Sequence, residues 1–115
     1  MKNILIVTFL LLSTVESALS KDVSPLTKIK KLYGYTTGAV LELENQSTNN
    51  SGCSYSKSGK YLAIRFNTAE ERALYSTILT AFTAEINVKI ASRDCDPIWG
   101  TTKTMNKIYN IVLYK

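Results

Sequence analysis

The first twenty residues carry the pattern of a secretory signal peptide, and this feature limits the possible fold more than any other. Lys2 gives a positively charged start, and residues 4–12 form an almost unbroken apolar run that is too short to match the ~20 residues needed to span a bilayer. Ala18-Leu19-Ser20 then places small residues at the positions that a signal peptidase reads. We therefore expect cleavage after Ser20, a secreted or periplasmic location, and a single compact domain formed by residues 21–115.

The chain has two cysteines, Cys53 and Cys95, and no histidine. In an exported protein such a pair is expected to form a disulfide bond. The bond would close a loop of about 40 residues and stabilise the fold by roughly 3–4 kcal/mol through its effect on the unfolded chain. A zinc site is the alternative, but two distant thiols alone do not hold this metal. We therefore expect a disulfide and no bound metal.

Hydrophobic periodicity predicts five strands, with a hairpin at the start of the domain. The predicted strands are residues 27–35, 39–44, 60–66, 86–91 and 107–114. The turn signal Thr36-Thr37-Gly38 joins the first two, and the alternation of the second strand predicts that it is half buried. Residues 45–59 are almost devoid of apolar side chains, which is typical of a surface loop.

A helix is predicted between the third and fourth strands. Asn67 or Thr68 is expected to cap it, because each is followed three residues later by a glutamate, and the helix reaches about Ala84. This element order is that of the OB-fold, a five-stranded Greek-key barrel. An open α+β sheet fits less well, because one helix could not cover both apolar faces of the last strand. The expected fold is therefore mainly β with one helix, in an OB-fold.

The two faces of this helix differ in composition. At about 100° per residue, its large apolar side chains fall on one face, which is expected to cover the core. They are Leu74, Tyr75, Ile78, Leu79, Ala81 and Phe82. The back of the helix instead carries a stripe of small, uncharged residues, Ala73, Thr77, Thr80 and Ala84. The stripe is either an exposed surface that tolerates threonine or an oligomer interface at which two helices approach closely.

The formal charge of +5 is compatible with an anionic partner. Lysines gather near both ends of the domain, at Lys28, Lys30 and Lys31 and at Lys103, Lys107 and Lys115. A solvated surface that keeps the protein soluble is the alternative explanation. Export carries the protein away from nucleic acid, which is therefore not an expected partner.

No residue pattern of a known catalytic type occurs in the sequence. The chain lacks histidine for acid–base work, its cysteines are expected to be oxidised, and it has no glycine-rich phosphate loop. The acid pairs Glu42 with Glu44 and Asp94 with Asp96 are of a kind common on protein surfaces, although a small hydrolase would need such a pair. We therefore expect a binding protein with no catalytic residue and no cofactor.

The loop between the last two strands is the first candidate for ligand binding. It contains Trp99, the only tryptophan, and the disulfide would bring Tyr55 close to Asp94 and Asp96 beside it. Aromatic rings stack on the apolar faces of sugars, while nearby polar groups bind hydroxyls. Alternatively, Trp99 closes one end of the barrel.

A family resemblance is carried by the helix, the strand after it, and the loop that contains Cys95 and Trp99. The matching residues are Ala73-Leu74-Tyr75-Ser76-Thr77-Ile78-Leu79-Thr80-Ala81-Phe82 and Ile86-Asn87-Val88-Lys89-Ile90. They resemble small secreted bacterial proteins related to the binding (B) subunits of subtilase cytotoxin and typhoid toxin. The resemblance implies an OB-fold, a homo-oligomer in the form of a five-subunit ring with helices about its axis, recognition of a host-cell glycan or glycoprotein, and a catalytic A subunit as partner.

The resemblance also implies a sugar pocket, and this chain matches it only in part. The candidates for the pocket serine are Ser24 and Thr27, and those for the acidic residue are Glu42 and Glu44. Ala91 or Ser92 stands where the family has a tyrosine. Ser24, Thr27 and Glu44 therefore form a second candidate ligand site.

Three functions remain open at this point. The first is a glycan-binding subunit of a bacterial toxin or a related secreted complex. The second is a secreted adaptor or inhibitor that binds a protein, with residues 45–59 presented to the partner. The third is a small hydrolase.

Overall fold

The computed structural model describes residues 21–98 and 103–115. Within them the chain forms β1 (Asp22–Val23), β2 (Ile29–Gly34), β3 (Gly38–Leu43), β4 (Tyr61–Arg65), α1 (Ala69–Thr83), β5 (Asn87–Asp96) and β6 (Met105–Tyr114). The strands form one sheet in the order β1-β5-β6-β4-β3-β2. The prediction of a mainly β structure with one helix is confirmed for this part of the chain. The predicted signal peptide and Trp99 lie outside the described residues.

Two details of the predicted element order are wrong. The described chain has six strands rather than five, and the helix follows the fourth strand rather than the third. The additional strand, β1, consists of Asp22 and Val23, which pair with Ser92 and Ala91 of β5. A two-residue strand has no periodicity of its own, so only its pairing with a distant strand defines it.

The last two strands are longer than predicted, since β5 extends to Asp96 and β6 begins at Met105. Their antiparallel pairing continues past register shifts between Ala91 and Ser92 and between Ser92 and Cys95. Such bulges disrupt the alternation of inward and outward side chains, which explains why the pattern ended at residue 91. The extension carries Cys95 and Asp96 toward the loop formed by residues 45–59.

The sheet curls so that its two edges come close together. β1 and β2 occupy opposite edges, yet only residues 24–28 connect them. Within this connection Thr27 forms an antiparallel bridge with Val88, and the Ser24 amide donates a hydrogen bond of 2.8 Å to the Ile90 carbonyl. One N-terminal segment therefore pairs with β5 at its start and with β3 at its end.

The main core lies between the inner face of the curled sheet and α1. Its buried side chains include Leu41, Leu43, Leu62, Ile64, Ile78, Ala81, Val88 and Ile90. Leu74, Tyr75 and Phe82 pack around this cluster from the helix, as its pattern predicted. Leu79 is the exception, because 38% of its surface is exposed.

The helix begins at the predicted capping box. Thr68 is the N-cap, and its Oγ1 accepts a hydrogen bond of 3.1 Å from the Glu71 amide, while Glu71 Oε1 accepts one of 3.0 Å from the Thr68 amide. Each side chain thereby satisfies a backbone group that the first turn leaves without a partner.

β3 is buried on both faces, so the prediction of a half-buried strand is wrong. Ala39, Leu41 and Leu43 face the main core as expected, but Val40 belongs to a second, smaller cluster with Ala63 and Met105. Partly buried tyrosines and Ile98 pack against this second cluster. β3 is thus covered on both sides, and the tyrosine layer over its outer side is the candidate functional site.

Candidate functional site

Cys53 and Cys95 form the predicted disulfide, with 2.07 Å between their sulfur atoms and 5.5 Å between their Cα atoms. The bond ties the loop at residues 45–59 to the extended end of β5, where Cys53 Sγ lies 3.6 Å from the Asp94 carbonyl oxygen. Closing a loop of this size stabilises a fold by about 4 kcal/mol. Because such bonds persist in oxidising compartments, the disulfide also indicates a protein that works outside the cytoplasm.

A buried carboxylate provides a second anchor for the same loop. Asp22 is fully buried, and it accepts hydrogen bonds from Thr48 Oγ1 (2.7 Å), the Ser51 amide (3.1 Å), Ser51 Oγ (3.0 Å), the Asn50 amide and Asn106 Nδ2 (2.8 Å). Burial by itself would raise the pKa of Asp22, but the hydrogen bonds from Thr48, Asn50 and Ser51 outweigh it and lower the pKa below its usual value. The loop is therefore fixed at Asp22 as well as at Cys95.

Three tyrosines form an aromatic layer over the second cluster, and we call Tyr33, Tyr55 and Tyr61 the tyrosine face. The Tyr61 ring lies 6.4 Å from the Tyr33 ring and 5.8 Å from the Tyr55 ring, measured between centroids, and both pairs are tilted. These are distances at which aromatic rings attract one another. All three rings are half-buried. Each ring is therefore held in place by packing while part of its surface stays exposed.

Strand register and the anchored loop together bring these rings to one place. Tyr33 on β2 lies opposite Val40 on β3, which lies opposite Ala63 on β4, so the three share one side of the sheet. Tyr61 is two residues before Ala63 and points the same way. Tyr55 belongs to the loop, where its amide donates a hydrogen bond of 2.9 Å to the Thr104 carbonyl.

An acid lies at the edge of the tyrosine face. Glu42 is only 3% exposed, and its Oε1 accepts a hydrogen bond of 2.8 Å from the Tyr61 hydroxyl, while Lys30 Nζ lies 3.5 Å from Oε2. The hydrogen bond from Tyr61 and then the charges of nearby lysines hold the pKa of Glu42 below its usual value, against the effect of burial. The same hydrogen bond raises the pKa of Tyr61 to about 12. Glu42 therefore remains an anion that orients the Tyr61 ring.

Two further groups border the tyrosine face. Lys103 Nζ lies 5.9 Å from the centroid of the Tyr55 ring, within the range of a cation–π interaction. Arg65 at the end of β4 holds the buried Asp96 by hydrogen bonds of 2.9 and 3.0 Å from Nε and 2.6 Å from Nη2. The hydrogen bonds to Asp96 raise the pKa of Arg65 further. Arg65 therefore neutralises Asp96 and fixes the end of β5 to β4.

The first predicted ligand group is brought together only in part. Tyr55 belongs to the tyrosine face, and Asp94 is exposed beside the disulfide with a φ of 63°. Asp96 is buried in its ion pair with Arg65, so its carboxylate already has a strong partner. Trp99 lies outside the described residues.

The second predicted group lies in the link between β1 and β2 and near the end of β3. Ser24 Oγ is buried and accepts a hydrogen bond of 2.8 Å from the Ile90 amide. Thr27 Oγ1 accepts one of 2.8 Å from the Asn45 amide and donates one of 3.2 Å to the Lys28 carbonyl. Glu44 is exposed and lines a cleft of about 460 Å³ beside the end of α1. Both hydroxyls thus hold backbone in place, and only Glu44 presents its side chain to a cleft.

The predicted oligomer stripe lies on the open side of the helix. Ala73, Thr80 and Ala84 are exposed and Thr77 is half-buried. The Thr77 hydroxyl donates a hydrogen bond of 3.4 Å to the Ala73 carbonyl, and the Thr80 hydroxyl donates one of 3.0 Å to the Ser76 carbonyl. Since these hydroxyls bond back to their own helix, the stripe depends less on water for its hydrogen bonds than its composition suggests.

The sequence patterns did not single out Tyr33 and Tyr61 as ligand residues, and they gave Glu42 a role only in an acid pair with Glu44 and through the family resemblance. A usable signal was present, because alternation places Tyr61, Ala63 and Arg65 on one side of their strand and Val40 and Glu42 on one side of theirs. Alternation does not give the register between the two strands, and it is this register that joins the two sides into a single surface.

The described residues contain no cluster of histidine, cysteine, aspartate and glutamate side chains that could hold a metal ion. Within this part of the chain, no helix is long and apolar enough to cross a membrane. No protein-family model, curated protein or solved structure matches the chain.

Proposed function

We propose that this chain is a secreted, non-catalytic binding protein whose tyrosine face recognises a glycan. The supporting observation is the arrangement of Tyr33, Tyr55 and Tyr61, half-buried and 5.8 to 6.4 Å apart along the layer. Rings held in this way can stack on the apolar faces of sugars without losing freedom on binding. The anionic Glu42 and the cationic Lys103 at its border supply polar groups for hydroxyls and charged substituents.

The curled sheet supports an OB-fold for this protein. Without the two-residue β1, the strand order is β5-β6-β4-β3-β2, and β1 and β2 act as two halves of one first strand that pairs at both edges. The strands then follow the Greek-key order of that barrel. In OB-folds the face of the second and third strands and the loops beside it bind oligosaccharides or oligonucleotides. Those strands are β3 and β4 here; Tyr61 of the tyrosine face lies on β4, and Tyr33 lies beside β3 on β2.

Oligomerisation is the second element of the proposal. The stripe formed by Ala73, Thr77, Thr80 and Ala84 is small enough for a neighbouring helix to approach, and its hydroxyls are already hydrogen-bonded. In a ring of five subunits, which the resemblance to the toxin B subunits implies, this stripe would line the contacts between copies. A catalytic A subunit would be the further partner in that case.

One specific observation favours a second candidate, a secreted adaptor or inhibitor that binds a protein. The loop at residues 45–59 is held by both the disulfide and Asp22, yet it carries exposed residues such as Ser54, Ser56 and Lys57. A surface loop that is fixed before binding loses little entropy when a partner engages it.

A glycan array tests the proposal directly. Tyr61→Ala should abolish or strongly reduce binding to the unsulfated glycans of the array. The matched variant Tyr114→Ala, which removes a 41% exposed tyrosine from β6, should bind these same unsulfated glycans as wild type does. Circular dichroism should show that both variants remain folded. An unchanged array profile for a folded Tyr61→Ala would move the site away from the tyrosine face. A wild-type protein that binds no glycan would favour the protein-binding candidate.

A further inference from the structure

A second surface, on the outer side of β5 and β6, combines cations with exposed aromatic rings. The Arg93 guanidinium lies 4.6 Å from the centroid of the Tyr109 ring, and Lys89 Nζ lies 5.7 Å from that of Tyr114. Tyr109, Tyr114 and Val112 are 38%, 41% and 46% exposed. We call these five residues the cationic face.

The strand pairing places these residues on the side of the sheet away from the core. Val88 and Ile90 are fully buried in the main core, so Lys89 between them points outward. Val112 lies directly opposite Lys89, and Tyr114 lies opposite Asn87 on the same side. The cationic face is therefore carried by β5 and β6, whereas the tyrosine face is carried by β2, β4 and the disulfide loop.

The charges of this face are not neutralised by ion pairs among the residues that the structure describes. The ion pairs found among residues 21–98 and 103–115 are Lys30 with Glu42, Arg65 with Asp96, and Lys107 with Glu71. Neither Lys89 nor Arg93 takes part in one of them. Asp94, exposed next to Arg93 in the chain, is the acid that would oppose an anionic ligand here.

The cations follow one line along β5. Lys89 and Arg93 are four positions apart on the strand, which corresponds to roughly 13 Å at about 3.3 Å per residue, shortened by the bulges. The exposed Lys21 precedes Asp22, which pairs antiparallel with Ser92, so Lys21 lies across from Arg93 at the next position of that pairing and adds a third cation at this end of the face. Cations spread over this distance fit a linear ligand better than a compact one.

We propose that the cationic face binds a linear sulfated polysaccharide, with sulfate groups contacting Lys89 and Arg93. A second copy of the chain would bring like charges together on this face, which is unfavourable. Insertion into a lipid surface would require the Tyr109 and Tyr114 rings to leave the cations that lie over them. A polyanion along the strand leaves both cation–ring contacts intact and uses the N–H groups that point to solvent.

Titration of the full chain with heparin, compared with neutral dextran, tests the proposal. The variant Lys89→Ala/Arg93→Ala should weaken heparin binding about tenfold at low salt, since exposed charge contacts contribute modestly and add along a chain. The matched variant Lys31→Ala/Lys57→Ala removes the same charge from exposed positions on β2 and in the loop, and it should bind within about twofold of wild type. Asp94→Asn should strengthen binding, because it removes the opposing charge.

Other outcomes would overturn the proposal. An equal loss of heparin affinity in both double variants would mean that binding depends only on the overall charge of the protein. Binding to vesicles that contain phosphatidylserine, lost in Lys89→Ala/Arg93→Ala while heparin does not bind, would assign the face to a membrane surface. Both changed side chains are exposed, so the variants should fold, and circular dichroism checks this independently of binding.

Discussion

The Tyr61 hydroxyl donates a hydrogen bond of 2.8 Å to Oε1 of Glu42, a carboxylate that is 3% exposed at the edge of the tyrosine face. Losing the Tyr61 proton would place a phenolate against this carboxylate, which is why the pKa of Tyr61 is raised to about 12. The ring that carries the proposed sugar contact is therefore neutral and oriented at any pH at which the protein would meet a ligand.

The first prediction follows from this hydrogen bond. Spectrophotometric titration of tyrosine should show a final ionisation step near pH 12 that is absent in Tyr61→Phe. Glu42→Gln should move this step toward the usual value of about 10. Because the folded state holds this proton more tightly than the unfolded state, its contribution to stability is complete below about pH 10 and is lost as the pH rises through about 12. Glu44→Gln is the matched control, and a wild-type titration without the late step would contradict the prediction.

The second prediction concerns acid stability and Asp22. The pKa of Asp22 is lowered in the folded protein, so its contribution to stability is complete above the unfolded value of about 4 and is lost as the pH falls through the lower folded pKa. Asp22→Asn should reduce the free energy of unfolding near neutral pH by about 2–3 kcal/mol, because an amide cannot accept all of these hydrogen bonds. Chemical denaturation of this variant and of the exposed control Asp94→Asn, measured at several pH values, checks this. Equal acid sensitivity in wild type and Asp22→Asn would be the contrary result.

The third prediction concerns the disulfide. Replacing both cysteines, in Cys53→Ser/Cys95→Ser, should lower the free energy of unfolding by about 4 kcal/mol. Amide hydrogen exchange should accelerate in residues 45–59, while the amides of β3 in the core change less. Hydrogen bonds to Asp22 should still hold part of the loop in this double variant. Adding Asp22→Asn to it should therefore loosen the loop further. Two free thiols in exported protein recovered without reductant would show that the bond does not form there.

The fourth prediction tests the helix stripe as an interface. Thr80→Lys should convert an oligomer into folded monomers, because it places like charges against each other at every contact between copies. Light scattering should show the fall in mass, and circular dichroism should remain unchanged. Ser56→Lys adds the same charge in an exposed part of the loop and should leave the mass as it is. A wild-type protein that is monomeric at high concentration would remove both the interface and the ring.

Local patterns in the sequence were enough to predict several parts of this structure correctly. The Thr68 and Glu71 capping box, the inward positions of β3 and the main core-facing side chains of α1 all depend on residues a few positions apart. The disulfide also followed from sequence, since Cys53 and Cys95 are the only cysteines available. Interactions between residues a few positions apart determined the capping box and the inward-facing positions. The disulfide was predictable because its two cysteines have only one possible pairing.

Tertiary structure alone decided how strands far apart in the chain are matched. β1 exists because Asp22 meets Ser92, and Asp22 is buried because Thr48, Ser51 and Asn106 surround it. The tyrosine face likewise depends on the register among β2, β3 and β4 and on where the loop is tied. Alternation determines which side of a strand a residue occupies, but only the pairing of strands determines which residues of different strands meet, and this is why Tyr33, Glu42 and Tyr61 emerged as a site only in the folded protein.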